Sequence, residues 1–187
     1  MDLRSQFIDA MSRAVTGVTV VTTSGPEGRF GQTVSAMASV TADPPTLLVC
    51  IKTTSIIVDQ IRTNDRFGVN ILRSDQRRVA DTFAGRSRTG VPYDFDVAHW
   101  EEPVLGAPLL VGAVGQFACD LTNAVLVGSH LVMFGEVLAA QTSSGSPLLY
   151  ARRSYGEHVE VPRQAPPVSF DVDVRLVDED RQGGFRE

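Results

Sequence analysis

The sequence has few of the residues that build metal centres, disulfide scaffolds or membrane spans. Its 187 residues include two cysteines and three histidines, and no Cys-x-x-Cys pair occurs. Because Cys50 and Cys119 lie inside apolar runs, we expect free, buried thiols rather than a disulfide, and we expect no metal site. No uninterrupted apolar stretch reaches the ~20 residues that a membrane helix needs. The charged, amphipathic N-terminus is unlike a signal peptide, so we expect a soluble, cytoplasmic protein.

The chain also lacks a strong charge of one sign. Its 17 Lys and Arg against 22 Asp and Glu give a net charge of -5, spread along the sequence. Clustered cations supply most of the affinity of proteins for nucleic acids, so we expect no nucleic-acid partner. Hydrophobic residues make up 43% of the chain, which suits a domain with a real core.

The composition changes near the C-terminus. We expect one domain over residues 1–160, and a linker, a strand and a disordered tail over 161–187. The segment VEVPRQAPPV contains the linker prolines, and SFDVDVRLV then alternates apolar and charged residues, which predicts a half-buried strand over 169–177. This strand is placed to extend a sheet edge of its own subunit or of a partner.

Strand patterns dominate the rest of the chain. Strands are predicted at GVTVVTT, FGQTVSAMASVTA, TLLVCI, RFGVNIL, LLVGAVGQFACDLTNAVLV and HLVMFGEVLAAQ. We expect TLLVCI to be buried on both faces. We expect an extended break at Asp43-Pro44-Pro45 and a loop excursion over 85–108. Helices are predicted over about 5–14, over SIIVDQIRTN with Ser55 or Thr54 as cap, and over about 75–83 with Ser74 as cap.

The predicted elements show no repeated strand–helix rhythm and no Gly-rich turn between a strand and a long helix. These absences exclude a doubly wound sheet with a Rossmann-type nucleotide site. We therefore expect a mainly β protein, an antiparallel β-barrel with short helices.

Two segments have residues suited to binding a flat, phosphorylated ligand. The segment GQTVSAMAS places Thr33, Ser35 and Ser39 among small residues at a strand end, where backbone and hydroxyl donors can approach a ring. Lys52-Thr53-Thr54-Ser55 follows a strand and opens a helix, which favours a phosphate site. A polar strand end without a ligand and plain helix capping are the alternatives.

The order of these segments resembles that of the flavin reductase-like family, over roughly Phe7 to Tyr155. The resemblance rests on GVTVVTT, QTVSAMASVTADPPTLLVCI, the helix after KTTS, FGVNIL, QRRVADTFAG, GSHLVMFGEV and PLLYARRSYG. It implies an FMN-binding split barrel of Greek-key type. It also implies an enzyme that transfers a hydride from NADH or NADPH to FMN or FAD, a homodimer, and a partner oxygenase that receives reduced flavin.

Two other functions remain open for such a chain. One is a reductase that holds its flavin tightly and reduces another acceptor, such as a corrinoid or a ferric chelate. The other is a split-barrel module that binds flavin or haem without catalysis, which the fold alone does not exclude.

The resemblance also implies site residues. The segment from Thr33 through Val34, Ser35 and Ala36 to Ser39 corresponds to the part that lines the isoalloxazine and ribityl chain. The ribityl phosphate corresponds to Cys50, Ile51, Lys52, Thr53, Thr54 and Ser55. Phe83, Ala84 and Gly85 correspond to the wall of the site. Arg86 or Arg88 corresponds to a contact with the phosphate or an adenylate, and Tyr155 corresponds to the aromatic residue that closes the pocket.

His130 matches the histidine of the family's Gly-Asp-His signature. That histidine lies near the nicotinamide, so His130 is the expected catalytic residue. Ser129 stands where that signature has an aspartate. A serine orients the imidazole without a carboxylate charge, so His130 should be less basic. A hydrogen-bonded structural histidine is the alternative. Cys50 has no resolving partner and is expected to be structural. Trp100 is expected either to pack in the loop or to cover the pocket.

Overall fold

The computed structural model describes residues 2–91 and 93–161, so the strand predicted over 169–177 lies outside the described residues. The helices are α1 (Leu3–Ser12), α2 (Ile56–Asn64) and α3 (Arg77–Asp81), with short 3-10 segments at Ser74–Gln76 and Phe95–Val97 and a π-helical turn at Thr82–Arg86. The first six strands are β1 (Thr16–Gly17), β2 (Thr19–Gly25), β3 (Gly28–Val34), β4 (Met37–Ala42), β5 (Pro45–Lys52) and β6 (Arg66–Ile71). The others are β7 (Trp100–Glu101), β8 (Leu109–Leu110), β9 (Gly115–Val127), β10 (His130–Thr142), β11 (Leu148–Ala151) and β12 (Ser154–Glu157).

The main sheet is antiparallel and has seven strands in the order β3-β2-β6-β9-β10-β5-β4. This confirms the mainly β, antiparallel prediction. Within residues 2–91 and 93–161 the sheet is not closed into a barrel, because β3 and β4 are its two edges and are not paired with each other. The chain crosses between them at Ser35 and Ala36, and the Ala36 carbonyl accepts a hydrogen bond from Cys50 N–H on β5 at 3.0 Å. The gap between the two edges of the sheet therefore lies at this crossing.

The same crossing corrects the prediction of one strand over FGQTVSAMASVTA, which instead forms β3 and β4. The expected extended break at Asp43-Pro44-Pro45 is also wrong. Ala42 pairs directly with Pro45, so the chain turns tightly from β4 into β5.

Strand β5 has one buried face, contrary to the expectation for TLLVCI. Leu47, Val49 and Ile51 are buried, whereas Leu48 and Cys50 on the opposite face are half-buried. Because successive side chains in a strand point to opposite faces, only one set contacts the core of this chain. The other face carries apolar groups without a layer packed over it among the described residues.

The core lies between this sheet face and α2. Ile57, Val58 and Ile61 of α2 are buried against the sheet, and the sheet contributes Phe67 and Met133. This confirms the predicted amphipathic helix. Its cap is only partly as expected: Ser55 occupies the N-cap position, but no side chain of the described chain caps the helix.

A second apolar cluster lies under the loop over 85–108. The Trp100 ring packs edge-on against Phe83 and Phe95, with ring centres 5.5 and 5.0 Å apart. Its Nε1–H donates a hydrogen bond to the Phe95 carbonyl at 3.0 Å. Trp100 is therefore a packing residue. The predicted loop excursion is confirmed, with the addition that β7 pairs with β8.

The remaining predictions need smaller corrections. The helix expected over 75–83 is divided into a 3-10 segment that begins at Ser74, then α3, then the π-helical turn, and Val79, Ala80 and Phe83 are buried. The run LLVGAV before β9 forms only the short β8 and a turn. Both thiols are free: Cys119 is buried, which raises its pKa to about 12, whereas Cys50 is half-buried. Within 2–91 and 93–161, no helix is long and apolar enough to cross a membrane.

Candidate active site

A cleft of about 180 Å³ lies where the end of β3, the turn after α3 and the β11–β12 hairpin meet. Thr33 pairs with Val20 near the end of β3, and its hydroxyl donates a hydrogen bond to the Ala80 carbonyl at 2.8 Å, which holds the strand against α3. Its oxygen can still accept a hydrogen bond. Ser35 is exposed just past the end of β3. The residues lining the cleft are Val18, Thr33, Val34, Ser35, Ala84, Arg86, Tyr150 and Tyr155.

A charged group at one side of this cleft is held by four mutual hydrogen bonds. Arg86 donates to Asp81 Oδ1 from Nε at 3.1 Å and from Nη2 at 2.7 Å, and Nη2 also donates to the Tyr155 hydroxyl at 2.9 Å. The Tyr155 hydroxyl donates in turn to Asp81 Oδ1 at 3.0 Å. Arg77 adds an ion pair to Asp81 at 3.7 Å, and its guanidinium lies 5.1 Å from the centre of the Tyr155 ring. The guanidinium of Arg86 is therefore fixed at the cleft.

The pKa values agree with this arrangement. Burial tends to raise the pKa of Asp81, but hydrogen bonds from Arg86 and Tyr155 outweigh it, so the pKa lies below its usual range. The hydrogen bond to Asp81 raises the pKa of Arg86. Burial, followed by the hydrogen bond to Asp81, raises the pKa of Tyr155. Near neutral pH the group therefore comprises a carboxylate, a guanidinium and a neutral phenol.

A second group of predicted residues lies at the N-terminus of α2. Lys52, Thr53 and Thr54 are exposed. The Ser55 hydroxyl bonds to the Gln32 side chain and does not cap α2. The Val58 N–H donates to the Ser55 carbonyl and Ile57 is buried, so the N–H of the exposed Ile56 is the helix donor best placed for a ligand. A helix N–H beside a lysine and hydroxyls fits a phosphate. This part of the structure favours the phosphate interpretation over plain capping.

The two groups adjoin each other through β3 and its crossing. Gln32 precedes the cleft residue Thr33, and its side chain is hydrogen-bonded to the Ser55 hydroxyl. The Ala36 carbonyl accepts a hydrogen bond from the N–H of Cys50, which lies two residues before Lys52. His130 pairs with Lys52 in the β5–β10 register. Its ring Nδ1 lies 3.0 Å from the Ser129 hydroxyl. The Ser129 carbonyl accepts hydrogen bonds from the N–H and the hydroxyl of Thr53, so the histidine turn is attached to the α2 end.

Three predicted residues are placed differently. Ile51 and Phe83 are buried in the core, so Ile51 can offer a ligand only its backbone, and the Phe83 ring supports the site from behind. Ser39 lines a separate apolar cavity with Leu47 and Phe117. Gly85 has a φ of 78°, which favours glycine at the turn that presents Ala84 and Arg86.

Sequence reasoning missed four residues: Val18, Gln32, Asp81 and Tyr150. One of them carried a readable signal. Arg77 and Asp81 are four residues apart on a predicted helix, which is the spacing of an ion pair on one face. The contacts of the others join segments that are distant in the chain, and no local pattern predicts them.

Comparison with known proteins identifies the family. The family model described as "Flavin reductase like domain" matches residues 11–158. The chain belongs to the flavin reductase-like family. This confirms the resemblance inferred from its motifs. The family match includes the cleft, the N-terminus of α2 and His130, and it ends just after the β11–β12 hairpin.

A curated relative and two solved structures show how close the likeness is. The chain is 41% identical over 153 residues to an FMN reductase (NADH) RutF of Ancylobacter novellus, covering 81% of this chain and 83% of the relative. The structure of flavin reductase PheA2 in its native state superposes with a TM-score of 0.77 at 32% identity, covering 86% of this chain and all of that one. BorF, the flavin reductase component of a bacterial two-component tryptophan halogenase, gives a TM-score of 0.76 at 33% identity, with the same coverage.

Proposed function

We propose that this protein is an NADH-dependent flavin reductase with FMN as its preferred flavin. The observation that carries the proposal is that two groups suited to a phosphorylated ring ligand adjoin the end of β3: the cleft at Thr33–Ser35, and the N-terminus of α2, which Ser55 joins to Gln32 by a side-chain hydrogen bond. The cleft offers a partly apolar recess, and the helix end offers a phosphate site. Membership of the family and the relative named as an FMN reductase (NADH) support the same assignment.

The cleft and the N-terminus of α2 together offer groups suited to each part of the flavin. Thr33, Val34, Ser35 and Ala36 offer hydroxyl and backbone groups for the ring system. Cys50 and Ile51 lead into the phosphate region, formed by Lys52, Thr53, Thr54 and Ser55 with the first N–H of α2. Ala84, Gly85, Arg86 and Tyr155 close the other side of the cleft, with Phe83 behind them.

Bound flavin and NADH would themselves supply the chemistry of hydride transfer. The protein orients the rings and excludes water. No side-chain nucleophile is needed. Arg86, held by Asp81 and Tyr155, presents a fixed positive charge to the cleft, which favours an anionic ring or phosphate there. We assign His130, on the turn attached to Thr53, to the nicotinamide side.

The cleft in one chain is small. Its volume of about 180 Å³ falls below the ~300–1,000 Å³ usual for sites of this ligand size. We therefore propose a homodimer in which a second copy completes the site. The half-buried face of β5 and the exposed apolar tip of the β9–β10 hairpin support it. We also propose that the protein is cytoplasmic and that reduced flavin passes to an oxygenase component. BorF, which is the flavin reductase component of a two-component halogenase, supports transfer to a separate component.

The test is a stopped-flow assay of NADH oxidation by the purified protein with and without added FMN. We expect oxidation that requires FMN, with NADH used better than NADPH. If a yellow protein with stoichiometric bound flavin oxidises NADH without added flavin, this would favour a reductase of another acceptor. No flavin-dependent oxidation at all would leave only a binding module.

The role of His130 has its own test. Because His130 is assigned to the nicotinamide side, His130→Ala should raise KM for NADH about tenfold while the Kd for FMN, measured by fluorescence quenching, stays within about twofold. Equal losses of both affinities, or no change in either, would contradict the assignment.

A further inference from the structure

A larger cavity, separate from the cleft, lies between α1 and the turn that joins β11 to β12. Its volume is about 590 Å³, which is within the ~300–1,000 Å³ range of small-molecule sites. Most of its lining is polar. It includes three arginines, one aspartate and two serines: Arg13, Arg152, Arg153, Asp9, Ser5 and Ser12.

The cavity carries a local positive charge in a protein whose net charge is -5. Arg13 is paired with Asp9 at 3.3 Å. The side chains of Arg152 and Arg153 make no hydrogen bond or ion pair with any residue that the structure describes. Two unpaired guanidinium groups on adjacent residues suit a ligand with more than one negative charge, because guanidinium groups bind phosphate oxygens in pairs.

The backbone presents these two arginines in an unusual conformation. Arg152 and Arg153 have φ values of 49° and 61°, in a two-residue turn closed by the pairing of Ala151 with Ser154. Such turns favour Asn and Gly. The Arg152 N–H donates to the Ser12 carbonyl at 2.6 Å, so the turn is held against α1. The turn thus carries two arginines where other residues fit better, and both line the cavity.

The arginine turn adjoins the candidate active site. Tyr150 and Tyr155, which line the cleft, pair with each other and flank the turn on β11 and β12. A strand advances about 3.3 Å per residue, so the arginine Cα atoms lie within about 10 Å of the tyrosines along the hairpin. A dinucleotide with its nicotinamide in the cleft is long enough to reach the arginine cavity with its diphosphate.

We propose that Arg152 and Arg153, together with Arg13, bind the diphosphate of the nicotinamide dinucleotide. The proposal rests on the proposed function. A diphosphate is also present in FAD, so the experiment must distinguish the two sources. The inference adds an electrostatic site for NADH on residues outside both the cleft and the α2 phosphate region.

The test is the double variant Arg152→Asn with Arg153→Gly. It removes both charges and installs residues that the positive φ values favour, so Tm should stay the same or rise by about 2–4 °C. We expect KM for NADH to rise about tenfold, kcat to change less than about twofold, and the Kd for FMN to stay unchanged. Calorimetric titration with ADP, a free nucleoside diphosphate, should show binding to the wild type and a similar loss in the variant.

Arg62→Gln is the matched control, since it removes an exposed arginine of α2 that does not line this cavity. If the double variant changes KM for NADH and the affinity for ADP no more than this control does, the proposal is overturned. A rise of KM for FAD with none for NADH would also overturn it. If the wild type oxidises no NADH with added FMN, the proposed function fails, and the ADP titration then decides the cavity alone: binding that depends on both arginines supports a nucleotide diphosphate site, and no binding overturns it.

Discussion

At the scale of single residues, the most connected side chain of the candidate site is Asp81. It does not line the cleft, yet it accepts hydrogen bonds from both Arg86 and Tyr155, which do. A cation that is held in place loses less conformational entropy when it meets an anionic ligand than a free one. Asp81 is therefore a positioning residue, acting on a ligand through Arg86.

The first prediction concerns this carboxylate. Asp81→Asn removes the charge but keeps the shape, so we expect the Kd for FMN to rise about 3–10-fold because Arg86 is released. Asp120→Asn is the control, because Asp120 pairs with Arg66 outside the cleft. An equal effect of the two variants on FMN affinity, measured by fluorescence titration, would contradict a positioning role for Asp81.

The same variant has an effect on stability that depends on pH. The pKa of Asp81 is lowered in the folded state, so its stabilising contribution is present above the unfolded pKa of about 3.9 and is lost as the pH falls through the lower folded value. For a partly exposed group we expect about 0.5–1 kcal/mol. Urea unfolding of wild type and variant should differ at pH 6 and converge in strong acid.

At the scale of elements, glycines permit the close packing of strands against aromatic rings. A Cβ atom at Gly31 of β3 would lie 2.6 Å from two ring atoms of Phe83. Phe83 in turn lies on the π-helical turn that presents Ala84 and Arg86 to the cleft. The position of β3 and the shape of the cleft therefore depend on the same contact.

Gly31→Ala should consequently lower the free energy of unfolding by about 1–3 kcal/mol, because the Phe83 ring must move within a packed cluster. Gly156→Ala is the matched control, since no atom lies within 4 Å of the added Cβ. Chemical denaturation measures both. Combining Gly31→Ala with Phe83→Leu should cost less than the sum of the single changes. Strict additivity would show that the ring contact is not the cause.

At the scale of the whole molecule, one of the exposed apolar patches lies beside the candidate site, where a second copy would complete it. Val125, Leu126 and Val127 at the tip of the β9–β10 hairpin are 44%, 66% and 59% exposed, next to His130. Contiguous apolar groups on a surface mark protein interfaces more often than isolated ones do. The open face of β5 carries Leu48 and Cys50 on a neighbouring strand.

Leu126→Glu should therefore shift the protein from dimer to monomer in sedimentation velocity experiments, because a buried unpaired carboxylate opposes association. Flavin-dependent NADH oxidation should fall with the dimer fraction. Leu105→Glu places the same charge on a loop leucine that is 79% exposed, and should leave both unchanged. A wild-type monomer with full activity would show that one chain is sufficient.

The sequence by itself determined the β-rich antiparallel class, the amphipathic α2 and the segments that carry the candidate site. These follow from periodicity, turn residues and motif order, which are local properties of the chain. Only the tertiary structure decided that the sheet stays open at Ser35 and Ala36, that Asp81 joins Arg86 to Tyr155, and that Arg13 meets Arg152 and Arg153. Each of these contacts joins segments that strand pairing and helix packing bring together, and local spacing does not specify those partners.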